Sequence, residues 1–325
     1  MTGPNGVGKT NLLEALHVGA QGFSPRTRNE PRLVRFGESA ARVRLTGSQD
    51  ESAFETQVDL AASAPKRIHL NGALLSTGDE LRLRLSALAF TPDRLAVVKG
   101  GPILRRAYLD RMLGRLFPAR AKLPSEYTGA LAQRNAALRR ARSGESSLDA
   151  VAPWSEQVAV LGDELDRARA ELVESLAPGF AHHAGALGLC GAEISYPPEG
   201  LTQVDLEARL DRDLERGTTS VGPHLRDAAV TAEGRELRAY GSQGEQRTAV
   251  LALVLAEAGL VAERRGEPPL LLLDDVFSEL DRTRGEALVA QLPAGGQTVV
   301  TATERPAALA PALVVAVTPG QARAA

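Results

Sequence analysis

The chain has 325 residues and a formal charge of −2, with 43% hydrophobic and 24% charged residues, proportions ordinary for a globular protein of one or two domains. No stretch of about 18 apolar residues and no apolar leader occurs, so we expect neither a membrane-spanning nor a secreted protein but a cytoplasmic one. A single cysteine and five scattered histidines argue against an internal disulfide or a structural zinc site.

Charge is distributed unevenly along the chain. Of the 38 basic residues only four are lysines, at positions 9, 66, 99 and 122, so a lysine at a chemically demanding position is informative. Residues 94–142 hold 12 basic and two acidic side chains, a local charge of +10 that leaves −12 for the rest. The near-neutral total therefore averages a basic middle and acidic flanks.

The first predicted element is a phosphate-binding loop. Residues 3–10, Gly-Pro-Asn-Gly-Val-Gly-Lys-Thr, fit the pattern G-x-x-x-x-G-K-[ST], and an apolar pattern predicts a helix over residues 11–18. In such a loop backbone N–H groups turn towards phosphate oxygens, lysine reaches the β- and γ-phosphates, and the Thr hydroxyl ligates Mg²⁺. The sequence thus predicts ATP and Mg²⁺ as cofactors, bound by Gly3, Asn5, Gly6, Gly8, Lys9, Thr10 and Asn11.

Only Met1 and Thr2 precede this loop. A phosphate loop is normally delivered by a buried strand, so we expect the N-terminal strands to be missing or the start to be misassigned. On this interpretation the loop hangs from a sheet edge, and we expect weak ATP binding by the 325-residue chain.

The middle of the chain predicts an Arg-rich helical region. Apolar residues recur at helical spacing from Gly100 to Pro178, with breaks at Pro118 and Pro124. Because Lys and Arg side chains neutralise phosphates, this region is a candidate DNA-binding surface, and 4% aromatic residues favour backbone contacts with little sequence preference. The alternative is a solvated helix face, or arginines whose stems pack and whose charges pair with the acidic remainder of the chain. The candidate DNA contacts are Arg105, Arg106, Arg134, Arg139 and Arg140.

Two further motifs complete a predicted ATP site. Ser242, Gly244 and Gln246 form an S-x-G-x-Q element at the start of an apolar helix, where backbone N–H groups favour an anion. Four leucines at residues 270–273 predict a strand buried on both faces, and two acids follow it. We predict that Asp274 holds Mg²⁺ together with Thr10, and that Asp275 and Lys9 are the catalytic residues, Asp275 by orienting or deprotonating the attacking water.

These motifs, in this order, resemble those of ABC-type ATPases, and 235 residues separate Lys9 from Gly244, enough for an inserted domain. Finer matches resemble the RecF family of bacterial recombinational-repair ATPases across essentially the whole chain. They are Phe-Thr-Pro-Asp-Arg-Leu at 90–95, Gly-Gly-Pro at 100–102, Gln-Arg-Asn-Ala-Ala-Leu at 133–138, Gly-Pro-His at 222–224, and Leu-Asp-Asp-Val-Phe-Ser-Glu-Leu-Asp at 273–281.

The resemblance implies an α/β fold with an ABC-ATPase head, a P-loop NTPase, built from residues 1–95 and 217–325, and an inserted, mainly helical, Arg-rich domain over residues 96–216. It further implies an ATP-driven homodimer that binds single-stranded or double-stranded DNA at gaps and is released by slow hydrolysis. RecO and RecR are the implied partners in RecA loading and the SOS response, and the implied location is cytoplasmic and nucleoid-associated, without a membrane partner.

The chain departs from the ABC pattern in three places. Asp275 stands where ABC heads usually carry Glu, which suits weak hydrolysis. The switch histidine is absent from the strand predicted over residues 298–303, which offers Thr301 or Thr303 instead. No Q-loop glutamine follows Phe90, so Asp93 takes that role or it is absent.

Two other functions remain open from the residues. An ATP-driven transporter subunit needs a much shorter spacing between its phosphate loop and its signature. An SMC-like or Rad50-like chromosome organiser needs helical arms, and the insertion is too short for a long coiled coil.

Overall fold

A computed structural model of the chain describes residues 1–27, 29–49, 52–61, 63–309 and 312–324. Among these residues the strands are β1 (Ala40–Gln49), β2 (Ser52–Ala61), β3 (Arg67–Leu70), β4 (Ala73–Leu74), β5 (Ala87–Phe90), β6 (Ala192–Ser195), β7 (Ala229–Ala232), β8 (Arg235–Glu236), β9 (Leu270–Leu273), β10 (Thr298–Val300), β11 (Val315–Thr318) and β12 (Gln321–Ala324). In the described ranges no helix has the length and apolar character needed to cross a membrane.

The helices differ greatly in length, from single turns to one of 35 residues. They are α1 (Lys9–Gln21), α2 (Gly78–Arg84), α3 (Ala96–Lys99), α4 (Pro102–Leu116), α5 (Leu123–Arg142), α6 (Ala152–Ala186), α7 (Gln203–Glu207), α8 (Leu210–Arg216), α9 (Leu237–Tyr240), α10 (Gln243–Arg265) and α11 (Arg282–Ala290).

The chain divides into two compact units. Unit 1 comprises Met1–Leu95, His182–Leu189 and Gln243–Ala325, and unit 2 comprises Ala96–Ala181 and Cys190–Ser242. Unit 2 thus continues to Ser242, whereas the sequence predicts an insertion that ends at residue 216, because β7 pairs with β6 and β8 pairs with β7 in an antiparallel sheet. The functional assignment of these parts as head and insertion stays a prediction.

Unit 1 is built around a parallel sheet with strand order β10-β9-β5. The pairs Phe90 with Leu273 and Val300 with Leu273 align the carboxyl ends of the three strands. Strand β5 is buried throughout, and Leu271, Leu272 and Leu273 of β9 are fully buried, as the run of leucines predicts. The strand ends therefore meet at one edge, where ligands of open α/β sheets bind.

Helix α1 packs on two of the sheets of unit 1. Leu13 contacts Ala89 and Leu272 of the parallel sheet, while Val18 joins a core cluster with residues of the antiparallel sheet β1-β2-β3-β4. Thr56, on β2, donates a hydrogen bond to the carbonyl oxygen of Gly19 at 2.7 Å. A Cβ atom on Gly19 would lie 2.9 Å from the Cβ of Leu45, so this glycine permits the close approach of α1.

Residues 1–3 lie between β11 and the segment that follows β10, and not at a sheet edge, which corrects the expectation from the sequence. Thr2 forms parallel bridges to Ala302 on one side and Ala316 on the other. Its N–H donates to the Val315 carbonyl at 2.8 Å, and its own carbonyl accepts from the Val317 N–H at 2.8 Å. The phosphate loop therefore starts from a backbone that is hydrogen-bonded on both sides.

Unit 2 is mainly helical, as predicted, and has the small antiparallel sheet β6-β7-β8. Its core includes Leu138 of α5 and Val151, against which Leu210 and Leu214 of α8 pack. The sequence predicts a helix that ends at Pro178, but α6 continues through this proline to Ala186. Leu176 and Phe180 are fully buried one turn apart, so packing on both sides of Pro178 outweighs the lost backbone hydrogen bond.

Candidate functional site

The glycine-rich loop is shaped for close contact between its backbone and a ligand. Gly6 and Gly8 adopt φ angles of 82° and 105°, and a Cβ atom on either would meet nothing within 4 Å. Gly8 is the N-cap of the 13-residue helix α1, which has no side-chain cap. The first N–H groups of α1 therefore point out of the helix end, where they and the helix dipole favour an anion.

Gly3 lies where the backbone of Met1 and Thr2 continues into the phosphate loop. Its φ angle is 155°, and a Cβ atom would lie 2.4 Å from the carbonyl oxygen of Val317. This contact excludes any side chain, so the position requires glycine for steric reasons as well as for its backbone conformation.

Lys9 lies across the loop. It is only 8% exposed, and its ammonium donates to the carbonyl oxygens of Gly3 at 2.6 Å and Pro4 at 2.9 Å. These two hydrogen bonds hold the ammonium at the loop. From this place a lysine can reach the β- and γ-phosphates of a nucleotide that binds the loop.

The phosphate loop is joined to the end of β9 through hydroxyl and carboxylate groups. The Thr10 hydroxyl donates to Oδ1 of Asp274 at 3.1 Å, and the Thr301 hydroxyl donates to the same oxygen at 2.7 Å. Asp274 is 3% exposed. Thr10 and Asp274 thus converge as predicted, and an oxygen donor set of this kind suits Mg²⁺.

The sequence offers two residues, Thr301 and Thr303, in place of the switch histidine. The structure places the Thr301 side chain beside Asp274. The predicted strand over residues 298–303 ends at Val300, and Thr301 follows it with its N–H bonded to the Leu273 carbonyl at 3.0 Å. The Thr301 hydroxyl also accepts from the Asp275 N–H at 2.9 Å. The Thr301 hydroxyl is therefore hydrogen-bonded both to the Asp274 carboxylate and to the Asp275 backbone.

Asp275 has a strained backbone, with a φ angle of 50° in the left-handed region. Its carbonyl oxygen accepts hydrogen bonds from Nη2 of Arg247 at 2.6 Å and from the Ser278 hydroxyl at 2.9 Å. Such strain in a non-glycine residue persists only where neighbours hold it, and it is common at functional sites. Arg247, which the sequence analysis did not assign, is one of these neighbours, with its guanidinium 5.5 Å from the Phe90 ring centroid.

The remaining predicted contacts fall on different elements. Asn5 and Asn11 are exposed on the loop and on α1. Gln246 is buried in the first turns of α10, which begins at Gln243, and Gly244 lies in the first turn of that helix. Ser242 belongs to unit 2, while Gly244 and Gln246 belong to unit 1. The structure brings together Lys9, Thr10, Asp274 and Asp275, and the roles of all these residues stay predictions.

Asp93, which the sequence offers in place of a Q-loop glutamine, lies in the short helical turn after β5, and its role there stays a prediction. Its side chain is 63% exposed and lies 3.6 Å from the Arg26 guanidinium, so it forms a solvent-exposed ion pair.

Two predicted DNA contacts are instead structural, which corrects the sequence analysis for them. Arg134 is fully buried and donates to Asp213 at 2.8 Å and to the Thr219 hydroxyl at 2.7 Å. Arg105 is 4% exposed, forms an ion pair with Asp227 and donates to backbone carbonyls. Each guanidinium is engaged by a carboxylate and other acceptors within unit 2, so neither is presented to a DNA phosphate.

The other three candidates differ in exposure. Arg106 is half-buried and donates to the Arg226 carbonyl at 2.8 Å, and burial followed by the nearby Arg169 charge lowers its pKa. Arg139 and Arg140 are exposed in the last turn of α5. One guanidinium nitrogen of Arg139 donates to the Gly217 carbonyl at 3.3 Å. The accessible basic candidates of unit 2 are therefore Arg139 and Arg140, with Arg106 less available.

His224 of the Gly-Pro-His motif is part of a partly buried hydrogen-bonded group in unit 2. Its Nδ1 lies 2.7 Å from the Tyr127 hydroxyl, and its Nε2 lies 3.2 Å from the Thr219 carbonyl oxygen. Burial lowers the pKa of His224, so the neutral imidazole, which accepts from Tyr127 and donates to Thr219, is favoured.

These geometries define a class of protein. A glycine-rich loop at a helix N-terminus, linked by a threonine to a carboxylate at the end of a neighbouring parallel strand, is typical of P-loop ATPases. The family model of the RecF/RecN/SMC N-terminal domain matches residues 1–322. Its match confirms the predicted ABC-type ATPase head as the fold class.

Relatives define the family within this class. The chain is 39% identical to the DNA replication and repair protein RecF of Myxococcus xanthus over 93% of this chain and 83% of the relative. It is 35% identical to that of Synechococcus sp. over 93% of this chain and 84% of the relative. The chain belongs to the RecF family, as the motifs predict.

Comparison with solved structures supports the same family and fold. The recombination mediator protein RecF-ATP of the RecFOR pathway matches with a TM-score of 0.86 and 28% identity, over 100% of this chain and 90% of that one. The SmcHead bound to the C-winged helix domain of ScpA matches with a TM-score of 0.58 and 16% identity, over 100% of this chain and 88% of that one. The second match shows the fold alone.

Proposed function

We propose that the chain is an ATP-dependent DNA-binding protein of replication and recombinational repair, in which ATP hydrolysis acts as a switch. The observation that carries this proposal is the convergence of Thr10 and Thr301 on one oxygen of Asp274 beside the loop that holds Lys9. Family membership supports the biological role, because the curated relatives are named DNA replication and repair proteins.

The residues fit ATP with Mg²⁺. The loop N–H groups at the start of α1 and the Lys9 ammonium bind the phosphates, and Thr10 and Asp274 hold the metal. Magnesium neutralises charge on the phosphate oxygens when it is bound. Ser242 and Gly244, which are exposed at the start of α10, contact the nucleotide of a second subunit, so the ATP-bound form is a homodimer.

Hydrolysis is slow and serves release from DNA. Asp275 orients the attacking water, and its carboxylate is one methylene shorter than the Glu usual in ABC heads, so it reaches that water less well. The strained backbone at Asp275 and the bonds that hold it support a positioning role.

Changing Asp275 to Asn tests the switch. We expect ATP binding within about twofold of wild type, turnover lowered by about tenfold or more, and a longer lifetime on DNA, because the amide is a poor base. Phosphate release and dissociation of labelled duplex DNA in ATP measure these effects. Asp79, an exposed acid of α2 in the same unit, provides the matched control Asp79→Asn. Faster DNA release by Asp275→Asn than by wild type contradicts the switch.

DNA binds through its backbone to basic side chains of unit 2. Arg139 and Arg140, together with Arg142, form an exposed basic turn at the end of α5. Such side chains bind phosphates with little regard to sequence and release counterions.

Replacing both Arg139 and Arg140 with alanine tests this surface. We expect weaker binding to duplexes of any sequence, and a slope of log affinity against log salt that is shallower by about two, because two phosphate contacts are lost. Fluorescence anisotropy at several salt concentrations measures the slope. The control replaces Arg167, an exposed arginine of α6 in the same unit that pairs with Asp163. An unchanged slope in the double variant places the DNA surface elsewhere.

By the same family relationship, the protein acts with RecO and RecR in loading RecA at gaps and in SOS induction, in the cytoplasm and at the nucleoid. Solved relatives of the RecFOR pathway support this role. Co-sedimentation of the purified protein with RecR, with and without ATP and gapped DNA, tests the partnership.

A further inference from the structure

Thr91 has a buried hydroxyl that nothing in the described part of the chain binds. The residue is 0% exposed, and its Oγ1 has no hydrogen-bond partner. A buried hydroxyl without a partner is costly, because it has lost its hydrogen bonds to water. Where such a hydroxyl lies next to a ligand site, its cost points to a partner that arrives with the ligand.

The sheet register places Thr91 beside the metal-binding acid. Phe90 pairs with Leu273, and the Asp274 N–H donates to the Phe90 carbonyl at 2.9 Å, so Thr91 and Asp274 are the next residues on neighbouring parallel strands. On the other side Val300 pairs with Leu273, which makes Thr301 the matching residue there. Residues paired across parallel strands point to the same face, so Thr91, Asp274 and Thr301 form a row across three strand ends.

The two threonines in this row differ in one respect. The Thr301 hydroxyl donates to Oδ1 of Asp274 and accepts from the Asp275 N–H. The hydroxyl of Thr91, on the opposite flank of Asp274, has both its donor and its acceptor capacity unused. The side of Asp274 away from Thr301 therefore offers a hydroxyl that can hold a small polar ligand.

We propose that Thr91 is a positioning residue of the phosphate site, whose hydroxyl binds a water molecule in the coordination shell of the magnesium ion that accompanies ATP. The inference rests on the proposed function and deepens it. Magnesium in nucleotide sites keeps several of its waters, and each needs a hydrogen-bond acceptor. Thr91 supplies one at the end of β5, next to Asp274.

The test compares two variants, Thr91→Val and Thr91→Ser. Valine keeps the shape and removes the hydroxyl, whereas serine keeps the hydroxyl. For Thr91→Val we expect unchanged or higher thermal stability without nucleotide, because the hydroxyl has no partner to lose. We also expect ATP affinity to fall about threefold to tenfold with Mg²⁺ and to stay unchanged in EDTA, while Thr91→Ser binds as wild type. Isothermal calorimetry with and without Mg²⁺ measures the affinities.

Ser86 provides a matched control. It immediately precedes β5, at the end opposite Thr91, and its Oγ is also buried without a partner in the described residues. Ser86→Ala should change neither affinity. If Thr91→Val loses stability without nucleotide, or keeps wild-type affinity with Mg²⁺, the proposal is wrong. If wild type itself binds no ATP, the proposed function fails instead, so the two failures are distinguishable.

Discussion

Replacing Lys9 with arginine is expected to lower ATP affinity by about tenfold to a hundredfold, the effect of losing a charge-assisted hydrogen bond at a buried site. Lys9 is nearly buried, and its compact ammonium fits between the carbonyl oxygens of Gly3 and Pro4. A planar guanidinium has a different shape and cannot take the same place, although it keeps the charge. Titration with ATP and Mg²⁺ measures the loss.

Lys99 provides the control for this substitution. It is an exposed lysine of α3, so Lys99→Arg should bind ATP as wild type does. Circular dichroism should show that Lys9→Arg is folded. A folded Lys9→Arg protein that binds ATP with wild-type affinity would mean that the loop is not the nucleotide site.

Replacing Arg134 with alanine is expected to lower the free energy of unfolding by about 3–5 kcal/mol, because it leaves the fully buried Asp213 carboxylate without its partner. The guanidinium also bonds to the hydroxyls of Ser155 and Thr219, so one substitution disrupts α5, α6 and the segment after α8. Urea unfolding, followed by a probe in unit 2, measures the change.

A variant of Arg139, on the same helix, distinguishes an effect on stability from an effect on DNA binding. Arg139→Ala removes an exposed side chain and should change the free energy of unfolding by less than about 0.5 kcal/mol. We expect Arg134→Ala to lose stability and Arg139→Ala to lose DNA affinity. If Arg134→Ala were as stable as wild type, burial of this ion pair would not matter to the fold.

The local patterns predicted elements well where burial is complete. Strand β9 has the predicted bounds, because four successive leucines suit a strand buried on both faces. Helix α1 was predicted over residues 11–18 but spans Lys9–Gln21, since its first turn is formed by the phosphate loop itself. The strand predicted over residues 298–303 ends at Val300. The side chain of the next residue, Thr301, forms a hydrogen bond to Asp274.

The features that the sequence did not predict depend on contacts between residues far apart in the chain. Arg105 and Arg134 belong to a basic segment, and nothing near them in the sequence shows that Asp227 and Asp213 neutralise them. Each acid lies far along the chain, so the sequence could not tell which arginines pair with acids and which stay exposed. Thr91 was missed for a similar reason: a hydroxyl without a partner is visible only when all its neighbours are known.

The position of Thr2 between Ala302 and Ala316 has a consequence for how the protein reaches its native state. These contacts close a loop of about 300 residues, and closing so long a loop before other contacts form is entropically unfavourable. A ribosome also makes residues 298–318 long after the phosphate loop has emerged. We therefore expect the nucleotide site to be among the last parts of unit 1 to form, so that a ligand bound there would stabilise only chains whose folding is already complete.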